Sequence, residues 1–220
     1  EPGHGRESTH ARWRAEGLPA GVADIPQAAY RLAGGTLPWP ERGKGLHVDE
    51  RMIPQFEEKI LEERPESRIV QDWKGNICEI GKQFSPVYLR NAIDFVTRRW
   101  IRCPVETRDD WRAMKARYNA DDPSRIDPAA AAAVSADGPD RPYFIEYHFS
   151  GPFWQLREWL GFENLCTAFY DDPDLVREML DFWCDYIARL LSRAIARVKP
   201  DSVHLSEDMA YKAHPMIGPA

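Results

Sequence analysis

Two neighbouring acids, Glu207 and Asp208, come directly after the short segment SVHLS and are the best candidates for chemistry in this chain of 220 residues. Adjacent side chains point to opposite sides of an extended backbone, so one carboxylate can face a pocket while the other faces away. A carboxylate in a pocket can bind a metal, a cationic substrate group or a catalytic water. The alternative interpretation is a surface loop in which the acids cap the next helix.

A histidine and a serine follow a second apolar segment, PYFIEYHF at 142–149. His148 ends this segment and Ser150 comes two residues later. We predict His148 as a third catalytic residue and Ser150 as a substrate-binding residue, although a hydrogen-bonded structural histidine is the alternative. His204, within SVHLS, alternates with apolar neighbours and therefore faces the opposite side of its strand from them.

Three further polar residues complete the predicted site. His4 and Arg6 can bind a carboxylate or a phosphate through charge-assisted hydrogen bonds, although mobility is the default expectation near a chain end. Tyr211 follows the two acids and is predicted to bind substrate. The four cysteines have neither a C-x-x-C spacing nor a histidine two to four residues away, so the chain itself offers no predicted metal site.

Composition bounds the class of protein. An apolar fraction of 43% and a charged fraction of 29% are ordinary for a globular domain. The net charge of −6 argues against a nucleic-acid or anionic-membrane partner, since both require clustered Lys and Arg. No apolar run approaches the length that spans a bilayer. Cysteines without paired spacing suit buried thiols in a reducing compartment, so we expect a cytoplasmic protein.

The first 140 residues predict mixed local structure. PQFEEKILEER at 54–64 has the apolar spacing of an amphipathic helix. Residues 67–80 predict a hairpin around Lys74 and Gly75, and residues 109–118 predict a helix with an acidic first turn. The segment at 88–101 allows either helix or strand. Two stretches predict loops: a Gly/Pro-rich loop at 33–50 and a linker or insertion at 119–141 with a helical stub at its alanines.

The rest of the chain has a regular rhythm. A strand at 142–149 is followed by the helix FWQLREWLG, then by a long helix at 173–198 that begins with a capping Asp and a proline. A strand at 202–206 closes the series. Strand, helix, longer helix and strand are typical of βα units around a parallel sheet.

The segment PDSVHLSEDMAYKAHPMIGP resembles a strand and loop of the uroporphyrinogen decarboxylase and corrinoid methyltransferase superfamily. GPFWQLREWLGFENLCTAFYDDPDLVREMLDFW, RWRAEGLP, IVQDWKGN and CPVETRDDWRAMKARY are also similar to its decarboxylase-like members. The resemblance implies an α/β fold, the (β/α)8 TIM barrel, which typically needs about 250 residues. The barrel would be incomplete here, lacking the first strand and the C-terminal strands. Its unpaired sheet edges would favour a homo-oligomer.

The resemblance implies an enzyme, and methyl transfer is the first interpretation. Such enzymes use zinc to lower the pKa of a bound thiol and a corrinoid protein as partner, and act on a small methylated substrate or a thiol acceptor. The zinc ligands of the family would lie beyond residue 220.

Two alternatives stay open. One is decarboxylation of a tetrapyrrole such as uroporphyrinogen, which needs no cofactor. Against it, EPGHGRESTHARW replaces the Arg-rich loop of those decarboxylases, and SEDMAY replaces their FDSWAG segment. The other is a barrel that binds a corrinoid or tetrapyrrole without catalysis. Candidate acids and a histidine favour an enzyme over that third interpretation.

Overall fold

A computed structural model describes residues 11–19, 41–42, 46–84, 90, 98–138, 141, 143–210 and 213–218. The strands are β1 Glu41–Arg42, β2 Lys59–Glu63, β3 Ser67–Gln71, β4 Ile77–Gly81, β5 Arg99–Arg102, β6 Tyr143–Phe144, β7 Glu146–Ser150 and β8 Ser202–Ser206. The helices are α1 Arg108–Lys115, α2 Pro128–Ala136, α3 Pro152–Leu160, α4 Phe162–Asp171 and α5 Pro173–Ile195, with a 3-10 turn at Pro123–Arg125. His4, Arg6 and Tyr211 lie outside the described residues.

An antiparallel sheet is built from β2, β3, β4 and β5 in that order. The β3–β4 hairpin pairs Val70 with Cys78 and turns through Gly75, whose φ of +89° favours glycine. The Asp72 carboxylate fixes the turn by accepting hydrogen bonds from the backbone N–H groups of Lys74 and Asn76, each at 2.9 Å. The hydrophobic core of this sheet is small, with Val70, Cys78 and Ile80 at its centre.

A parallel pair, β7 and β8, is joined by the crossover helices α3, α4 and α5. Alternation along β7 buries Tyr147 and Phe149 while His148 stays exposed. The helices therefore cover one face of the pair and leave His148 on the other. Helix α5 begins where the sequence predicts, because the Asp172 carboxylate accepts the backbone N–H of Leu175 at 3.1 Å.

Aromatic side chains make up much of the main core. Trp111, Trp159 and Trp183 are each 1% exposed, and the Trp159 and Trp183 rings meet edge to face with centroids 5.6 Å apart. Tyr118 and Tyr186 complete the cluster, with ring centroids separated by 5.3 Å. Edge-to-face contacts of this kind add to the free energy gained from burial alone.

The predicted TIM barrel is wrong. Instead of eight parallel strands, the described residues form a mixed α/β arrangement with a four-stranded antiparallel sheet and two parallel pairs, β1–β6 and β7–β8. The physical reason is the length of the connections. The turn between β3 and β4 is too short for the crossover helix that parallel neighbours require, so the two strands must run antiparallel.

Two local predictions also need correction. Residues 54–64 are not a helix; β2 occupies Lys59–Glu63 because pairing with β3 satisfies its backbone groups. The predicted linker at 119–141 is more ordered than expected, since it contains the 3-10 turn and α2, and both Arg125 at the end of that turn and Ile126 after it are buried. By contrast, the helix expected at 109–118 is confirmed as α1, and the strand expected at 202–206 is confirmed as β8.

None of the helices within the described ranges is both long and apolar enough to cross a membrane.

Candidate active site at the carboxyl end of β7

A cavity of about 130 Å³ lies at the carboxyl end of β7. In open α/β sheets, ligands bind where parallel strands end, so the position is one at which a site is expected. The aromatic part of its lining comprises Trp73, Tyr118, Trp154 and Trp159, and the charged part comprises Glu50, Arg51, Lys74 and Glu158. The cavity therefore combines apolar surface with a few converging charged groups, which is the usual composition of a small-molecule site.

Glu50 is held against the last residue of β7. Its carboxylate accepts the Ser150 backbone N–H at 3.0 and 2.9 Å and the Ser150 hydroxyl at 2.8 Å. Burial raises the pKa of Glu50 above its ordinary value, and the hydrogen bonds from Ser150 oppose this rise only in part. A carboxyl with a raised pKa that faces a cavity is suited to donate or accept a proton.

The fold fixes Ser150 from the other side as well. The indole N–H of Trp183, on α5, donates to the Ser150 carbonyl at 2.9 Å. The Gly151–Pro152 step then begins α3, with proline in its favoured first turn. Because β7 ends at this rigid junction, the hydroxyl of Ser150 has a defined direction toward Glu50.

An ion pair closes one side of the cavity. Lys74, from the β3–β4 turn, donates to the carboxylate of Glu158 on α3. Lys74 also lies 5.3 Å from the centre of the Trp73 ring, and the Arg157 guanidinium stands 4.2 Å above Trp154. The antiparallel sheet and the parallel pair thus each contribute charged and aromatic groups to one site.

The predicted acids have other partners. The Glu207 carboxylate accepts the backbone N–H groups of Phe153 and Trp154 at 2.8 and 2.9 Å, and so caps α3. A side chain at Gly151 would meet Glu207 at 2.2 Å, which explains the glycine there. Asp208 accepts a hydrogen bond from Arg157 at 3.2 Å. The helix that Glu207 caps is therefore an earlier one, not the next helix of the alternative interpretation, and the Asp208 contact is an ion pair rather than a cap.

His148 lies on the open face of β7, away from the helices. Its Nε2 is 2.7 Å from the Ser206 hydroxyl, and its ring centroid is 4.8 Å from that of His204 on β8. Of the predicted site residues within the described ranges, Ser150 alone lines the cavity. The structure therefore does not bring Glu207, Asp208 and His148 together around one space.

The four charged residues of the cavity were all missed from the sequence: Glu50, Arg51, Lys74 and Glu158. Glu50 sits in HVDERM, where no predicted strand precedes it and no spacing marks it. Lys74 reads as a turn residue, and Glu158 reads as the polar side of a helix. Their common site arises from contacts between distant segments, and 100 residues separate Glu50 from Ser150.

The described residues do not fit the zinc ion that the resemblance implies. Within these ranges no three His, Cys, Asp or Glu side chains come close enough to hold a metal. His148 and His204 are neighbours, but two imidazoles alone are fewer than the three protein ligands of a catalytic zinc. We therefore derive no chemical step through a metal.

Comparisons of the chain with protein-family models, with curated proteins and with solved structures find no match. The resemblance to the uroporphyrinogen decarboxylase superfamily thus stays a prediction.

Proposed function

We propose that the protein is an enzyme in which Glu50 is the general acid for a reaction of a small molecule bound in the cavity. The observation that supports this is the half-buried carboxyl of Glu50, oriented by Ser150 at the end of β7 and facing a space lined by aromatic rings. Its raised pKa keeps a proton on the carboxyl over a wider pH range than an ordinary glutamate would.

The size of the cavity selects the substrate class. A dry cavity of about 150 Å³ holds one benzene molecule, so the space of about 130 Å³ beside Glu50 suits a substrate of about six non-hydrogen atoms. A tetrapyrrole contains four pyrrole rings, each nearly as large as benzene, in addition to its carboxylate side chains. The cavity therefore favours a small methylated substrate over uroporphyrinogen.

Methyl transfer is the reaction that we place first. The electron pair of an external nucleophile, either a thiolate or a reduced corrinoid, forms the new bond to the methyl carbon. The bond from that carbon to the substrate oxygen or nitrogen breaks, and its electron pair stays on the departing heteroatom. Glu50 donates its proton to that atom, which makes it a better leaving group. A solvent proton then restores Glu50.

The experiment uses 2-methoxyethanol, whose five non-hydrogen atoms fit the cavity, as methyl donor and chemically reduced cobalamin as acceptor, and follows methylcobalamin formation by its absorbance. We expect turnover with the natural chain and a loss of about 100- to 10,000-fold in Glu50→Gln, which keeps the shape but cannot donate a carboxyl proton. Glu163→Gln, an exposed change on α4, is the matched control and should leave the rate unchanged.

Equal turnover in Glu50→Gln and the natural chain would contradict the proposed role of Glu50. Binding of 2-methoxyethanol in the cavity without any methyl transfer would instead support the non-catalytic alternative. Turnover of uroporphyrinogen would favour the alternative interpretation, tetrapyrrole decarboxylation, over methyl transfer.

A further inference from the structure

Arg125 is a buried cation that has backbone carbonyl groups as its partners. It is 1% exposed, and within the part of the chain that the structure describes no carboxylate lies at ion-pair distance from it. Its guanidinium donates to the carbonyls of Asn119, Asp49 and Arg51 at 2.6, 2.9 and 2.8 Å, with a longer contact of 3.5 Å to that of Arg117. Burial of a guanidinium without a carboxylate is unfavourable, and the hydrogen bonds to these carbonyls offset the loss of its hydration.

Two of these carbonyls belong to the residues on either side of Glu50. The Asp49 backbone N–H also donates to the Arg125 carbonyl at 2.8 Å, so the two segments are joined in both directions. The Tyr186 hydroxyl donates to the Glu50 carbonyl at 3.0 Å, and Arg125 stands 5.1 Å from the Tyr186 ring centre. Three consecutive carbonyls, at 49, 50 and 51, therefore each accept a hydrogen bond from a side chain of another segment.

The charges of the Glu50 segment itself are already paired. The Arg51 guanidinium donates twice to the Asp49 carboxylate, with both distances 2.8 Å. Because Arg51 is paired with Asp49, the Glu50 side chain is the one charged group of this segment that contacts Ser150. The direction of the Glu50 carboxyl is thus set by how its backbone is held, and Arg125 and Tyr186 hold it.

We propose that Arg125 is a positioning residue, which together with Tyr186 fixes the backbone at 49–51 so that the Glu50 carboxyl keeps its half-buried position against Ser150. The importance of this for catalysis rests on the proposed function of Glu50. The positioning itself does not, and it can be measured without a substrate.

A planar guanidinium reaches several carbonyls at once, whereas a lysine ammonium on a single flexible stem cannot reproduce that fork. In Arg125→Lys the backbone at 49–51 gains freedom, and the Glu50 carboxyl moves into water. Because burial is the main cause of the raised pKa of Glu50, that pKa should fall toward the ordinary value of about 4.3. Tyr186→Phe removes one donor and should cause a smaller fall.

The test is a carbon-13 NMR titration of the full chain with labelled glutamate, in which Glu50→Gln identifies the Glu50 signal. The groups around Glu50 are Asp49, Arg51, Tyr118, Arg125 and Tyr186, with Lys74 and Glu158 across the cavity. Arg193→Lys is the matched control, because Arg193 also donates to carbonyls near Arg125, those of Ala120 and Asp122, but to none at 49–51.

We expect the pKa of Glu50 to fall most in Arg125→Lys, less in Tyr186→Phe, and not at all in Arg193→Lys. An unchanged pKa of Glu50 in folded Arg125→Lys would overturn the proposal. If Arg125→Lys does not fold, Tyr186→Phe decides, because it deletes a single hydroxyl. The pKa of Glu50 could fall in Arg125→Lys while the rate of methyl transfer is the same in Glu50→Gln as in the natural chain. That result would support the positioning role of Arg125 and reject the proposed function of Glu50.

Discussion

The antiparallel sheet β2–β5 and the helix-covered pair β7–β8 differ in how their strands find partners. In the sheet, β2, β3 and β4 pair with one another across short turns, and the outer strands β2 and β5 are exposed along their whole length. In the pair, strands more than 50 residues apart meet over a large aromatic core. Short-range pairing therefore determines the antiparallel sheet, whereas burial of apolar side chains determines the β7–β8 pair. The cavity lies between them, where Lys74 of the β3–β4 turn contacts Glu158 of α3.

The largest expected effect is a difference in the free energy of unfolding that is lost when a large core side chain is truncated in each of the two regions. Trp183→Ala removes a 1%-exposed ring and the hydrogen bond to Ser150, and should lower the free energy of unfolding by about 3–5 kcal/mol. Ile80→Ala in the small core of the antiparallel sheet should cost about 2 kcal/mol, at the low end for such a truncation. Urea unfolding followed by circular dichroism measures both. Equal losses would show that the two regions share one core.

A smaller effect comes from the turn that carries Lys74. An alanine at Gly75 must adopt a φ of +89°, and its Cβ would lie 2.8 Å from the Phe56 ring. We expect Gly75→Ala to lower the free energy of unfolding by about 1–2 kcal/mol. The same urea experiment measures it, and Gly138→Ala, with a similar φ of +73° but open space around it, is the control. If Gly75→Ala costs no more than Gly138→Ala, the contact with Phe56 contributes nothing.

The smallest expected effect is measured without changing the packing. The rate at which a buried cysteine reacts with a thiol reagent reports how often the region around it opens. Burial raises the pKa of Cys78, in the antiparallel sheet, to about 12 and that of Cys103, beside α3, to about 11. We expect neither to react with a disulfide reagent until its surroundings open, whereas the exposed Cys184 should react without any opening. We expect Cys78 to react faster than global unfolding allows, because its local core is small. Single-cysteine chains give each rate, and labelling of Cys78 only at the unfolding rate would contradict local opening.

Sequence predicted the parts of the fold that short-range physics decides. The turn at Gly75, the Asp172 cap and the bounds of β8 follow from residue type and alternation. The segment 54–64 was predicted as a helix because β2 has helical spacing, but its pairing with β3 overrode that preference.

The candidate site was much less predictable. Ser150 could be found because it ends an apolar strand. Glu50 could not, because its environment is created by Ser150, Arg125 and Tyr186, which come from three distant segments. The predicted barrel failed for a related reason: the βα rhythm after residue 141 is real, but it says nothing about how the earlier strands connect.

The crossover between β7 and β8 also has a consequence for the order in which the chain folds. Register partners such as Tyr147 and Val203 lie on either side of α3, α4 and α5 in the sequence, so their pairing closes a long loop. A hairpin forms within about 1–10 μs. Contacts between residues far apart in sequence form more slowly, because closing a long loop lowers the entropy of the chain. We therefore expect the β3–β4 hairpin to form before the β7–β8 pair, and the cavity between them to be completed late in folding.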